Sequence, residues 1–295
     1  MFKNVVVGVD GRQGGRDAIA LAQHVAGPDV QVTLVNVFGS TLLPGRTSGL
    51  FLAGASEESE RILVREHEDS GLDADMVTIL DLSVGSGLQS AAGRRHADLL
   101  VVGASRHGAV SRHLLGDDTV STLSGAPCAV AIAPVNYSPD SQIRQIGVGY
   151  DGSPESQLGL IVARSLAERL QASVGVLAVV AMTLRPYAES IPENWYEEAR
   201  KAVDAERKRL SKLSVLEGLS QQVVDGDPAD RLQTWSEQLD LLIVGSRSQG
   251  PIGRLLSGST ARHLARTAGC PLLVLPRSAE LTPSIGDEDR APAQV

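Results

Sequence analysis

The chain reads as an α/β protein: two tandem five-stranded parallel-sheet domains, with helices on both faces, packed together as a pseudo-dimer. Three observations predict this. Short apolar runs alternate with helical patterns along the chain, the mark of parallel strands joined by crossover helices. Runs such as Leu99–Val102 are apolar at every position, as a strand covered on both faces must be. The third observation is an internal repeat. "VVVGVDG", ending at Gly11, returns as "IGVGYDG", ending at Gly152, 141 residues on. "ADLLVVGAS" returns as "LDLLIVGSR", which matches Gly103 to Gly245 at a spacing of 142. "PCAVAIAP" returns as "CPLLVLP", which matches Cys128 to Cys270 and Pro134 to Pro276 at the same spacing. A period of 141 to 142 residues marks a duplicated domain rather than a solenoid unit.

Taken in order, the first copy places strands at 3–9, 30–37, 74–80, 98–103 and 128–133, with helices at 13–26, 56–71, 86–96 and 117–125. The second places strands at 144–150, 172–179, 220–224, 240–245 and 271–275, with helices at 154–170, 192–213, 228–238 and 259–268. Ser153 before Pro154 and Asp227 before Pro228 are cap and first-turn pairs that open helices. The polar, turn-prone stretch Ala133–Gln145 is the hinge. The domains are therefore 1–136 and 144–277, with a linker at 137–143 and a disordered tail at 278–295 that has little to bury. The copies differ most after their second strands. There "GSTLLPGRTSGLFLAGAS" (39–56) reads as a mobile Gly/Ser-rich connection and "AMTLRPYAESIPENW" (181–195) as a longer, more structured one. The final strands, 128–133 and 271–275, would each leave a bare sheet edge. Antiparallel pairing of the two covers both and puts Cys128 and Cys270 at opposite ends of the seam, too far apart to bridge.

Composition narrows the function classes. At 295 residues there is room for two domains. With 3% aromatic residues, the cores must be built from Val, Leu, Ile and Ala. A formal charge of −8 argues against a general nucleic-acid binder but not against small anions, which local amides and dipoles can hold. A strand pattern begins directly after the first residues, and no apolar run approaches a membrane span. Two cysteines make no disulfide framework. The expectation is a soluble protein of the reducing cytoplasm, without nucleic-acid or membrane partners.

In open parallel sheets, ligands bind beyond the carboxyl ends of the strands. Three features of each copy converge there: the acid ending strand one (Asp10, Asp151), the end of strand two (Asn36–Val37, Val179–Val180, with Val37 and Val180 taken as the contacts), and a glycine loop after strand four. That loop is "VGASRHGAVSRHLLGDDT" (102–119) in the first copy and "VGSRSQGPIGRLLSGST" (244–260) in the second. Gly103 and Gly245 let a ligand approach the backbone. Gly116 and Gly258 immediately precede a helix, whose first amides are unsatisfied and whose dipole favours an anion. Ser259 and Thr260 add hydroxyl donors, and Arg247 can pair with phosphate oxygens.

The spacing G-x2-G-x9-G-[ST] after strand four, with an Asp ending strand one, resembles the nucleotide-binding branch of the universal stress protein family. The tandem arrangement resembles its two-domain members over residues 1 to about 277. The resemblance implies a Rossmann-like, adenine nucleotide alpha hydrolase-like fold. It also implies ATP with adenine near the ends of strands one and two, phosphates in the glycine loop, and a role in stress survival rather than turnover. In the second copy Gly245, Gly258 and Ser259 fit the pattern, while Ser248 stands at its second glycine. In the first, Gly103 and Gly116 fit, Arg106 stands at the second glycine, and Asp117 replaces the terminal Ser/Thr. A carboxylate there repels phosphate unless a cation such as magnesium intervenes, so the second site is expected to be the stronger.

Plainer readings stand beside these. Asp10 and Asp151 can cap the following helices, and Asp117 suits a helix start. Cys128 and Cys270 read as small buried residues. The histidines show no metal-binding spacing; His107 and His113 fall in the first loop. The leading reading is a regulatory protein that senses or sequesters ATP, with an unknown protein partner and a possible homodimer. Two others stay open: a nucleotide-independent structural or partner-binding module, and a slow ATPase. The chain has no G-x4-G-K-[ST] loop with its lysine and no G-x-G-x-x-G fingerprint placed after a first strand, and no residue is assigned a catalytic role.

Overall fold

A computed structural model describes residues 2–39, 49–104, 117–181, 195–246 and 258–276. The first half runs β1 (Asn4–Gly8), α1 (Gln13–Val25), β2 (Gln31–Phe38), α2 (Gly49–Ser70), β3 (Asp75–Leu80), α3 (Val84–Arg94), β4 (Leu99–Gly103), α4 (Asp117–Leu123) and β5 (Ala129–Ala133). The second half repeats the order. It comprises β6 (Gln145–Gly149), α5 (Pro154–Leu170), β7 (Ser173–Val180), α6 (Trp195–Leu210), β8 (Ser220–Asp225), α7 (Pro228–Ser236), β9 (Leu241–Gly245), α8 (Ser259–Thr267) and β10 (Leu272–Leu275).

All ten strands form one sheet in the order β3-β2-β1-β4-β5-β10-β9-β6-β7-β8. Pairing is parallel within each half. At the seam β10 runs antiparallel to β5, with Leu272 opposite Ile132, Leu273 opposite Ala131 and Val274 opposite Val130. The two bare edges expected from sequence thus cover each other, and Cys128 and Cys270 are free and buried. The strand order reverses between β1 and β4, and again between β6 and β9, which creates a switch-point crevice in each half. Because the seam is antiparallel, the two crevices open at opposite ends of the sheet.

Strand alternation sorts the core into two layers. Val5 and Val7 face a layer with Leu21 of α1, Leu63 of α2, Leu160 of α5 and Leu210 of α6. Val6 faces a second layer with Leu88 of α3, Leu123 of α4, Trp235 of α7 and Leu264 of α8. Both layers cross the seam, so the halves share their cores. The hinge is tied down as well. The buried Asp17 accepts the Asn136 amide at 2.9 Å, and His24 lies between the Tyr137 hydroxyl and the Pro139 carbonyl, each at 3.0 Å. Arg169 of α5 reaches across to donate to the last carbonyls of α1, His24 O at 2.8 Å and Val25 O at 3.0 Å.

Several helix ends fall one to three residues short of expectation, as where α6 stops at Leu210 rather than 213, and two helix starts differ for a visible reason. The stretch expected to be a mobile connection as far as residue 56 is helical from Gly49, because "LFLA" suits a helix. A Cβ at Gly54 would meet nothing within 4 Å, so that glycine marks no special backbone. Helix α3 starts two residues early, capped by Ser83, whose side chain accepts the Ser86 amide at 3.3 Å. Its early glycines are there for contact: a Cβ at Gly87 would stand 2.7 Å from Val37, and one at Gly85 would strike Ser121 of α4. The two cap pairs form as expected. Ser153 accepts from Ser156 N at 3.2 Å, and Asp227 from Ala229 N at 2.8 Å. Most of the stretch 181–195 and all of the tail 278–295 lie outside the described residues. Among the described residues, no helix is long and apolar enough to cross a membrane.

Candidate functional site

The crevice between β6 and β9 is a formed cleft enclosing about 830 Å³ not occupied by protein atoms, part of it open to solvent. Three segments build it. The first is the turn Gly149–Ser153 with Ser156, where β6 gives way to α5. The second is Leu177 and Val179 at the end of β7. The third is Val244 and Gly245 of β9, facing Gly258–Ala261 at the start of α8. Leu232 and Pro228 of α7 close the apolar side.

The polar chemistry sits at the mouth. Asp151 Oδ1 accepts the Ser153 amide at 2.9 Å, so this carboxylate does cap the turn into α5. Ser156 donates its hydroxyl to Ser153 O at 2.9 Å. Gly258 is the N-cap of α8, with φ −59° and ψ 163° and no side-chain cap. The first helical bond runs from Arg262 N to Gly258 O at 3.0 Å, so the amides of 259–261 precede the helical ladder and point toward the cleft end of the helix. Tyr150 is buried beneath the turn. Burial foremost, with Asp151 adding, raises its phenol pKa, and Arg209 works against the rise.

Of the residues expected at this site, Asp151, Gly245, Gly258, Ser259 and Thr260 line one cleft. Arg247 and Ser248 lie outside the described residues. Val180 is misplaced: it packs with the layer under α5 and α6, while Val179 packs with the opposite layer and lines the cleft. The ladders explain the slip. Gly8 pairs with Val35 and Gly149 with Leu177, so the counterpart of Val37 is Val179, and one residue along a strand reverses the face.

In the first half, Asp10 Oδ1 accepts the amides of Arg12 at 3.0 Å and Gly15 at 3.2 Å. Gly103 ends β4, and Val37 packs with the layer that holds α3. Arg106, Gly116, His107 and His113 lie outside the described residues. Thr119 of α4 donates its hydroxyl to Gly103 O at 3.2 Å, a bond with no counterpart at Ala261.

The glycines ending β4 and β9 have a packing role that sequence did not reveal. A methyl at Gly103 would strike the backbone of Gly14 at the start of α1, and one at Gly245 would stand 2.5 Å from the Cβ of Glu155 in α5. Each permits a helix to start hard against a strand end.

Other residues near the clefts were not anticipated. Arg65 of α2 lies on Gly11, donating to its carbonyl at 3.3 Å, and Arg209 of α6 lies 3.3 Å from a Cβ built at Gly152. Both glycines have positive φ, 70° and 83°. Glu206 grips Arg209 through two bonds, of 2.8 and 2.6 Å. Ser246 follows Gly245. Its hydroxyl is wholly buried and, among the described residues, has no hydrogen-bond partner. The signal available in sequence was the Ser opposite Ala104 in the repeat.

The architecture is therefore that of a duplicated, doubly wound parallel-sheet protein with a polar-mouthed cleft at the switch point of its second half. The model of the universal stress protein family matches the chain twice, over residues 1–134 and 142–276, and the chain belongs to that family. A universal stress protein of Mycobacterium tuberculosis is 30% identical over 190 residues, covering 62% of this chain and 63% of its own length. The chain thus spans less than two thirds of that relative. A second from the same organism is 27% identical over 241 residues, covering 76% and 79%. The crystal structure of a universal stress protein from Archaeoglobus fulgidus superposes with a TM-score of 0.64 over 93% of this chain and 98% of its own; at 17% identity the likeness is one of fold.

Proposed function

We propose that the chain is an adenine-nucleotide-binding regulatory protein of the stress response, with its stronger ATP site in the cleft of the second half. The observation that carries this reading is the convergence of opposite chemistries in one cleft. A carboxylate acceptor, Asp151, stands at one lip, and the first-turn amides and the hydroxyls of Ser259 and Thr260 at the helix start form the other, with Leu177, Val179, Val244 and Leu232 between them. A nucleotide asks for that combination: apolar walls for the base, an acceptor for ribose hydroxyls, and donors with a favourable dipole for phosphates. The roles follow position. Asp151 takes the ribose, Val179 and Leu177 flank the base, and Gly258, Ser259 and Thr260 hold the phosphates, with Arg247 and Ser248 added from the sequence that precedes α8. Magnesium, where it enters, comes with the nucleotide's phosphates.

The first half is the weaker site in this reading. Asp10, Val37 and Gly103 repeat the scaffold, with Arg106 and Gly116 in its loop, but Asp117 and Asp118 stand where the second half has Ser259 and Thr260. Two unit charges about 4 Å apart repel by roughly 4 kcal/mol at an effective dielectric of 20.

The test is to denature freshly purified full-length protein, identify released nucleotide by mass spectrometry, and titrate the stripped chain with ATP. An adenine nucleotide that co-purifies or rebinds, and is displaced by Ser259→Asp, supports the reading. A chain that carries none and binds none at millimolar ATP is the nucleotide-independent module instead.

A further inference from the structure

We propose that Ser246 is a ligand-contacting residue of the second cleft, its hydroxyl meeting an anionic oxygen seated at the start of α8. This rests on the nucleotide reading and adds to it a residue whose identity the glycine-loop pattern leaves unspecified.

Ser246 Oγ is the buried side-chain oxygen that finds no partner among the described residues. An unpaired buried hydroxyl is costly, and in a native protein it calls for an explanation. The backbone supplies none. Ser246 N donates to Leu275 O at 2.9 Å, and in the other half Ala104 N donates to Ala133 O at the same 2.9 Å. The duplicated fold therefore holds this position equally well with no hydroxyl at all.

Direction follows from the ladder. Because the Ser246 amide still pairs with β10, alternation continues past Gly245. Ser246 then shares the face of Leu242 and Val244, which pack in the layer holding α7 and α8. Val244 lines the cleft. Ser246 lies two residues further on, about 7 Å toward the carboxyl end of the sheet, the end at which Gly258, Ser259 and Thr260 line the cleft, and its hydroxyl sits beneath that lining rather than in it. The repeat sharpens the contrast. Three hydroxyl positions at this end of the second half, Ser246, Ser259 and Thr260, correspond to Ala104, Asp117 and Asp118 in the first.

The test compares Ser246→Ala with the parent, both full-length, by denaturant unfolding without ligand and by titration with ATP and with adenosine. Removing an unpaired hydroxyl leaves unliganded stability unchanged or raised, while ATP affinity falls about five- to tenfold, the effect of one hydrogen bond to a charged oxygen. Adenosine, which lacks the anionic end, binds parent and variant alike. Unchanged ATP affinity in a parent that binds ATP overturns the proposal and leaves the hydroxyl with a trapped water only. An equal loss for adenosine, or a loss of unliganded stability, also overturns it, because the hydroxyl then acts elsewhere or structurally. A parent that binds no nucleotide removes the underlying reading, and this proposal with it.

Discussion

The two halves share one architecture and differ in how they finish the same crevice. Each ends strand one in an Asp whose Oδ1 caps the next turn, and each places a helix hard against the glycine ending its fourth strand. Each also rests an arginine on the positive-φ glycine after that Asp. Above this frame they part. The first half invests polar groups inside: Asn36 donates to Val9 O at 2.7 Å and accepts the Ser59 hydroxyl at 2.6 Å, all buried, while Thr119 ties α4 to Gly103. The second half has Ala178 at the register position of Asn36 and Ala261 at that of Thr119. It leaves hydroxyls at the mouth and, beneath them, the Ser246 hydroxyl with no partner among the described residues. Duplication preserved the scaffold, and the polar groups were redistributed from internal ties to an open cleft.

The largest effect should come from the strand-ending glycines. Gly103→Ala forces a methyl into the Gly14 backbone and should destabilise the chain by about 3 kcal/mol, whereas Gly245→Ala, whose methyl would stand 2.5 Å from the backbone-fixed Cβ of Glu155, a less severe overlap, should cost about 2 kcal/mol. Denaturant midpoints of the full-length variants check the order, and equal values would show that the two helix starts are not held alike. Next, Asn36→Ala strips partners from Val9 O and Ser59 and should cost about 1–3 kcal/mol. Ala178→Asn offers no comparable gain in the second half. Ser259→Ala should leave folding intact and weaken ATP binding by about 1 kcal/mol in calorimetric titration, while no such loss follows Thr119→Ser.

The smallest effect concerns pH. Burial, with Arg169 nearby, lowers the pKa of His24 from its ordinary 6.5. The folded state therefore binds fewer protons there than the unfolded chain. The stability that neutral His24 contributes is complete above pH 6.5 and erodes as pH falls through that value toward the depressed one. Asp17 works the other way: burial raises its pKa above 3.8, so its contribution is greatest when protonated, at lower pH. His24→Gln should flatten the stability slope between about pH 7 and 5, and a slope identical to the parent's would mean that the hinge does not sense the proton.

Much of this was legible because duplication is legible. The repeat of "VVGA" as "IVGS" and of "VGVDG" as "VGYDG" located the strands to within a residue or two, and bare final strands implied their pairing. The caps at Ser153 and Asp227 were readable from local chemistry alone. What stayed hidden depends on contact at a distance. Gly85, Gly87, Gly103 and Gly245 look like turn or ligand glycines in sequence, and only the neighbouring helix shows why a Cβ is excluded. Val179 and Val180 are interchangeable by composition; only the ladder decides which faces the cleft. Helix α2 was cut short because Gly and Ser count as loop formers when no helix partner is in view. Ser246 carried a faint signal, one hydroxyl against an alanine, that mattered only once its burial was known.

The central claim is that the second cleft binds nucleotide and the first does so weakly or not at all. The most direct measurement is the ATP stoichiometry and affinity of the full-length chain, alongside Ser259→Asp and Asp117→Ser. The account predicts one tight site per chain, lost in Ser259→Asp, with a second, metal-independent site appearing or strengthening in Asp117→Ser. Two equal sites in the parent, or a single site untouched by Ser259→Asp, would contradict it.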